Sequence, residues 1–182
     1  MTRTFVAVYF PQYYVGKISQ IQSQRKDFNI KFVDPKLVHI TLKFLGDVNE
    51  NQIEQIAGAL DGINIPSFEA KIENVGVFPK PKYVKVIWLG AEGNFGELHD
   101  NVESALKPLK FKKDRHGYTA HATLARVKYL SNEEKEAFLK VLYELKDTEI
   151  GTFHVDAIKL KKSTLTPEGP IYETLHEVRL SE

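Results

Sequence analysis

An α+β fold with two similar lobes of mainly antiparallel sheet, helices on the outside and a cleft between the lobes, is the fold class that this sequence predicts. Segments rich in β-branched and aromatic residues alternate with segments whose apolar residues recur at helical spacing. A helix, strand, helix order then occurs twice, on either side of a central hairpin over residues 66–89. With 182 residues, the chain can bury one sizeable core, so we expect a single domain (1–182) made of two pseudo-symmetric lobes.

Each predicted element has its own local signal. The first strand reads TFVAVYF and stops at Pro11, because proline has no N–H to give to a sheet. The second helix ends before the breaker Gly62, and Ser131 with Glu134 forms a capping box at the start of the last helix. Strands are predicted over residues 4–10, 30–33, 38–45, 67–78, 83–89, 119–127, 148–160 and 171–180. Helices are predicted over residues 13–27, 47–60, 95–109 and 131–145.

Composition excludes several kinds of protein. The chain has no cysteine, which excludes disulfide frameworks, thiolate metal sites and a cysteine nucleophile. The 25 basic and 24 acidic side chains leave a net charge of only +1, so a duplex-DNA partner is not expected. The apolar stretch at the N-terminus is too short for a signal segment or a membrane span. We therefore expect a cytoplasmic, monomeric protein without a membrane partner.

Two copies of one tetrapeptide carry the functional signal. His39-Ile40-Thr41-Leu42 and His121-Ala122-Thr123-Leu124 both read H-x-T-L, in strands of the two matching halves. Composition alone predicts roughly 0.03 such tetrapeptides in the chain. Because residues two apart in a strand project to the same face, each histidine shares a face with its threonine. If the lobes face each other, two imidazoles and two hydroxyls converge on one cleft.

This set of side chains suits the hydrolysis of a phosphate diester. Histidine titrates nearest to neutral pH, so one imidazole can remove a proton from water while the other protonates the departing oxygen. The hydroxyls of Thr41 and Thr123 suit the anion held between them. The residues alone do not decide which histidine is the acid and which the base.

Other readings of the motif are weaker. A single H-x-T in a strand is most often an ordinary half-buried pair, and the duplication is what favours a site. His39 and His121 lack the H-x-H, H-E-x-x-H or D-x-H spacing of metal ligands, so neither a metal nor another cofactor is predicted. A G-x-S-x-G elbow and a glycine-rich phosphate loop are both absent from the sequence.

The two motif segments resemble a known family. VHITLKFLG over residues 38–46 and YTAHATLAR over 118–126 look like the paired signatures of the two-histidine (2H) phosphoesterases. The order of features is similar to the RNA 2',3'-cyclic phosphodiesterases, first described as 2'-5' RNA ligases. The resemblance includes GVFP from Gly76 and VIWLG from Val86. Ala120 departs from it, because relatives often place proline before the second histidine.

The resemblance implies one bilobal 2H phosphoesterase domain that opens a terminal RNA 2',3'-cyclic phosphate to a 2'-phosphate without a metal. It implies His39 as the proton donor and His121 as the proton acceptor, with Thr41 and Thr123 binding the phosphate. Arg126 belongs to the family signature, although its offset of five from His121 predicts the opposite face unless the strand bends. The expected partner is an RNA 3' end or a nucleotide that carries a cyclic phosphate.

The surroundings of the second motif add candidates for substrate binding. The run from Lys110 to Tyr118 interleaves cations with aromatic rings, which suits the phosphates and unstacked bases of single-stranded RNA. Arg115 and Tyr118 are the candidates there, with Tyr118 as the ring that stacks on a base. Phe44 is expected in the core instead. A 2'-5' linkage made or cut at the same site, or an RNA-end or nucleotide binding module without catalysis, remains the alternative function.

Overall fold

One antiparallel sheet forms the framework of the protein in a computed structural model that describes residues 1–23, 28–113 and 117–182. The described residues form nine strands: β1 Thr2–Tyr9, β2 Ile30–Phe32, β3 His39–Val48, β4 Phe68–Lys80, β5 Tyr83–Glu92, β6 His121–Val127, β7 Glu149–Val155, β8 Ala157–Thr166 and β9 Gly169–Arg179. They also form four α-helices: α1 Val15–Ser23, α2 Glu50–Asp61, α3 Phe95–Leu106 and α4 Asn132–Leu145. The predicted α+β class is confirmed.

The strand order is β7-β4-β5-β6-β3-β1-β8-β9, and β2 also pairs with β6. The sheet has two halves that join where Ile40 of β3 pairs with Ala122 of β6. We call strands β3, β1, β8 and β9 the His39 half, and strands β6, β5, β4, β7 and β2 the His121 half. Counting outward from the junction, each half runs through four antiparallel strands, so the predicted similarity of the two lobes is confirmed.

Each half draws strands from both ends of the chain, in contrast to a division by sequence order. The C-terminal strands β8 and β9 extend the N-terminal strand β1, while β4 and β5 lie beside β6. Helices α2 and α3 pack together, α3 against β3 and α2 against β9. Apolar residues of α1 and α4, including Ile21 and Phe138, pack with Ile87 and Leu124 behind the His121 half. This arrangement covers one face of the sheet with helices.

Several predicted boundaries shift. The second helix begins at Glu50, not at residue 47, because the Asn49 side chain accepts a hydrogen bond from the Gln52 N–H and caps it. The strand expected over 148–160 is two strands that break at Asp156, and the second of them continues to Thr166. The Ser131 capping box at the start of α4 is confirmed. The predicted helix over 13–27 is observed as a short 3-10 turn and α1, and residues 24–27 lie outside the described part.

Helix length and hydropathy also bear on membranes. Within the described ranges, no helix combines the length and the apolar character that are needed to cross a bilayer.

Candidate functional site

The two H-x-T-L motifs meet at the junction of the two halves. Ile40 and Ala122 pair there, and their side chains are buried on the face of the sheet that the helices cover. In an antiparallel pair, this register sets His39 beside Thr123 and His121 beside Thr41. The two histidines are then diagonal neighbours across this one pair. The predicted set of two imidazoles and two hydroxyls therefore occupies one patch of the open face, which we call the cleft.

The fourth residue of each motif is a β-bulge. Across from β3, Ala7 pairs with Thr41 and Val6 with Lys43, which leaves Leu42 as the extra residue. Across from β6, Trp88 pairs with Thr123 and Ile87 with Ala125, which leaves Leu124 as the extra residue. A bulge shifts the alternation of faces by one position. Residues five after each histidine therefore return to the face of the cleft.

This shift decides the positions of Phe44 and Arg126. The expectation that Phe44 lies in the core is wrong, because its side chain is 64% exposed, beside Phe5 at a centroid distance of 6.1 Å. Arg126 is exposed on the same face as His121. A strict alternation predicted the opposite face for Arg126, and the bulge is the bend that was needed. The bulge also sends Lys43 into the interior.

The His39 imidazole is packed among rings. It stacks between Phe5 and Tyr9, with centroids 5.0 and 5.1 Å away, and meets the edge of Tyr172 at 5.5 Å. Its Nδ1 donates to the Leu37 carbonyl over 2.7 Å, and its Nε2 lies 3.1 Å from the Thr41 hydroxyl. Burial lowers the pKa of His39, the bond to Leu37 opposes this, and the charge of Lys161 adds to it.

The His121 imidazole has the same kind of hydrogen bond as His39 but lacks its stacked rings. Its Nδ1 donates to the Thr119 carbonyl over 2.7 Å, again two residues before the histidine. Its aromatic contacts are edge contacts, to Phe78 at 5.0 Å and to Trp88 at 6.3 Å. Because a carbonyl only accepts, Nδ1 carries the hydrogen in both histidines, and Nε2 is the nitrogen left for chemistry.

Tyr118 links the segment before the second motif to the first. Its hydroxyl donates to the Thr41 carbonyl over 3.1 Å, and its ring stacks on His99 with a centroid distance of 4.1 Å. Burial raises the pKa of Tyr118, so the phenol keeps its proton. Sequence reasoning did not foresee this role, and stacking of Tyr118 on a base stays a prediction. The motif segment 118–126 enters its strand only at His121.

The basic run that begins at Lys110 is hydrogen-bonded to a buried lysine of β3. Lys43 is only 3% exposed and forms a 2.6 Å ion pair with Glu103 of α3. The same ammonium donates to the Lys112 carbonyl over 2.9 Å, which holds the run against β3. Arg115, predicted as a substrate-binding residue, lies outside the described residues.

The charges of two arginines, Arg3 and Arg126, act on Tyr172 beside His39. Burial raises the pKa of Tyr172, and the charges of Arg126 and Arg3 oppose that rise. Tyr172 itself meets the His39 ring edge to face, with centroids 5.5 Å apart. Over the part of the chain that the structure describes, no three His, Asp or Glu side chains gather as a metal-binding group.

Each half of the sheet thus contributes one histidine and one threonine to the cleft. The sequence matches the family LigT like Phosphoesterase over residues 11–88 and 90–172, and the chain belongs to that family. It is 41% identical to an RNA 2',3'-cyclic phosphodiesterase of Methanocaldococcus jannaschii, over 96% of this chain and 99% of that protein. The predicted resemblance to the 2H phosphoesterases and the predicted enzyme class, a cyclic phosphodiesterase, are confirmed.

Solved structures agree on the fold. The crystal structure of TT0787 from Thermus thermophilus is 24% identical and superposes with a TM-score of 0.81, covering 97% of each chain. The crystal structure of E. coli LigT complexed with 3'-AMP is 18% identical, with a TM-score of 0.81 over 100% of this chain and 99% of that one. The curved two-half sheet is thus shared despite low identity.

Proposed function

We propose that this protein hydrolyses RNA 2',3'-cyclic phosphate ends to 2'-phosphates without a metal ion, with one histidine as the acid and the other as the base. The observation that carries the proposal is the matched geometry of His39 and His121. Each imidazole donates its Nδ1 hydrogen to a carbonyl, which orients the ring and leaves Nε2 for proton transfer. Two such nitrogens beside one phosphate supply both of the proton transfers that the reaction requires.

The roles follow the assignment that the family resemblance implies. Water attacks phosphorus, and its proton passes to the Nε2 of His121. The bond between phosphorus and the 3'-oxygen breaks, and that oxygen takes a proton from the Nε2 of His39. The products are a 2'-phosphate monoester and a 3'-hydroxyl, and exchange with water restores a protonated His39 and a neutral His121.

The phosphate oxygens bind between the threonines. The Thr41 hydroxyl already lies 3.1 Å from the His39 Nε2, so a phosphate oxygen at that hydroxyl is next to the proton donor. Thr123 occupies the equivalent position on β6, directly after the pair Ile40 and Ala122. Arg126 on the same face adds a charge that favours the dianion of the product and the developing charge of the transition state.

RNA is the proposed substrate because of the names of the relatives and because the ring of Phe44 is exposed at the cleft. Several curated relatives are named RNA 2',3'-cyclic phosphodiesterase, and the E. coli LigT structure holds 3'-AMP. In this chain, the exposed Phe44 offers a ring at the edge of the cleft on which a base can stack. The expected cytoplasmic location and monomeric state stay predictions.

Product analysis tests the proposal. We would incubate the protein with an RNA that ends in a 2',3'-cyclic phosphate, in EDTA, and follow it by phosphorus NMR. A 2'-phosphate is the expected product, and the variant with both His39→Ala and His121→Ala should not form it. A 3'-phosphate, a requirement for added metal, or full turnover by the double variant would each contradict the proposal. Binding without turnover would favour a nucleotide-binding module instead.

A further inference from the structure

Two lysines of β8 line the cleft beside His39 and have no part in the mechanism above. Lys159 pairs with Ala7 and Lys161 with Phe5 across β1. Ala7 and Phe5 pair in turn with Thr41 and Phe44 of β3. Directly paired residues share a face of the sheet, so both lysines face the cleft. Both ammonium groups lie over the Tyr9 ring, Lys159 at 5.7 Å and Lys161 at 4.6 Å from its centroid.

Lys161 is buried without a carboxylate. The residue is only 8% exposed, and its ammonium donates to the Thr174 hydroxyl over 2.9 Å. Across the described residues, no Asp or Glu oxygen lies within ion-pair distance of Lys159 or Lys161. Lys43, which is also buried, is paired with Glu103. A buried ammonium without an anion costs free energy, and burial with the charge of Lys159 lowers the pKa of Lys161.

The location of this unpaired charge suggests its ligand. Tyr9 stacks on the His39 imidazole and carries the two ammonium groups against its ring. Lys161 is thus one aromatic ring away from the imidazole that faces the scissile phosphate. In an RNA end, the next negative charge is the phosphate on the 5' side of the terminal nucleotide. That phosphate is separated from the cyclic phosphate by one ribose.

We propose that Lys161, assisted by Lys159, binds the phosphate on the 5' side of the terminal nucleotide and makes the enzyme select RNA ends over free nucleoside cyclic phosphates. This inference rests on the proposed function. It adds a second anion site to the cleft and explains why the His39 half buries an ammonium that has no acidic partner in the described chain. A charge-assisted bond to phosphate offsets the free energy that burial of the amine costs.

The test compares two substrates that differ only in that phosphate. Adenosine 2',3'-cyclic phosphate lacks it, and the 5'-phosphorylated form of the same compound has it. We expect the 5'-phosphate to raise kcat/KM of the unmodified protein by about 10-fold, the worth of a hydrogen bond to a charged group. Lys161→Met should abolish most of this gain, and Lys159→Met part of it. Because both substrates use His39, any change in His39 itself cancels in the ratio.

Lys162→Met is the matched control. It removes the same charge from the next residue of β8, but Lys162 has an acidic partner, Glu173, at 3.6 Å. The ratio of the two substrates should be unchanged in this variant. Thermal unfolding confirms that each variant is folded, and methionine at position 161 should not destabilise the protein, because it removes a buried charge.

Three outcomes would overturn the inference: no gain from the 5'-phosphate in the unmodified protein, an unchanged gain in the Lys161→Met and Lys159→Met variants, or an equal loss on both substrates. The last result would assign Lys161 to the scissile phosphate. The proposed function fails separately, when the unmodified protein opens neither cyclic phosphate.

Discussion

The two halves of the sheet present the same tetrapeptide in different surroundings. His39 lies between two stacked rings with a third ring at its edge, and both of its nitrogens have partners. His121 has edge contacts to Phe78 and Trp88. The shared register and bulge place equivalent atoms in equivalent positions. The packing of rings around His39 buries its imidazole and lowers its pKa.

This difference affects His39 in its proposed role as the acid. Burial lowers the pKa of His39, so its protonated form is disfavoured in the free protein at neutral pH. A proton donor must carry its proton when the ester is bound. The negative charge of a bound phosphate raises the pKa of a neighbouring histidine. In the proposed mechanism, a bound substrate therefore favours the protonated form that His39 needs as the acid, and His121 is the base that accepts the proton of water.

Removing each histidine is the largest expected perturbation. His39→Ala and His121→Ala should each lower kcat by about 10²- to 10⁴-fold, because each removes one proton transfer. A substrate in which sulfur replaces the bridging 3'-oxygen distinguishes the halves, since a thiolate leaves without a proton. We expect this substrate to restore much of the activity of His39→Ala and none of that of His121→Ala.

The sulfur substrate can also give results that contradict the proposed roles of the two histidines. Restoration of His121→Ala instead of His39→Ala would exchange the roles of acid and base between the halves. Equal behaviour of both variants on the sulfur substrate would mean that the packing difference does not correspond to a difference in role. Steady-state rates on the oxygen and sulfur esters, measured on the same preparations, decide between these outcomes.

The sequence predicted the motif strands and the shared face of each histidine and threonine, because an i, i+2 pair in a strand has one geometry. It could not predict the bulges at Leu42 and Leu124, since both are ordinary apolar residues. The error for Phe44 follows from that one extra residue. The pairing of β8 with β1 was also beyond local signals, because partners more than 150 residues apart leave no periodic trace.

Gly76→Ala perturbs the His121 half alone. A Cβ at position 76 would collide with the Trp88 indole, which lies against His121 and Phe78. Displacement of the indole should misplace His121 and lower kcat by about 10- to 100-fold, while the His39 half keeps its geometry. Trp88 is the only tryptophan, so its fluorescence reports the displacement directly.

Gly58→Ala provides the control for this variant. A Cβ at position 58 of α2 meets no atom within 4 Å, so alanine should leave kcat unchanged and raise the free energy of unfolding by about 0.5–1 kcal/mol. A Gly76→Ala variant with an altered emission spectrum and normal kcat would show that the indole does not position His121.

The smallest expected effect is a change in the pKa of His39, which tests the surroundings of that histidine directly. Nitrogen NMR of the imidazoles should give His39 a pKa below its usual value of 6.5 in the free protein. Addition of a nucleoside 2'-phosphate should raise that pKa, because the bound anion stabilises the imidazolium. Lys161→Met should also raise it without ligand, since the Lys161 charge is one cause of the lowering. In the proposed mechanism His39 acts in its protonated form, and activity falls when the pH rises through its pKa. The alkaline limb of the kcat/KM profile should therefore move to higher pH in this variant. A limb that stays in place while the NMR pKa moves would separate that limb from His39 and assign the proton donation to another group.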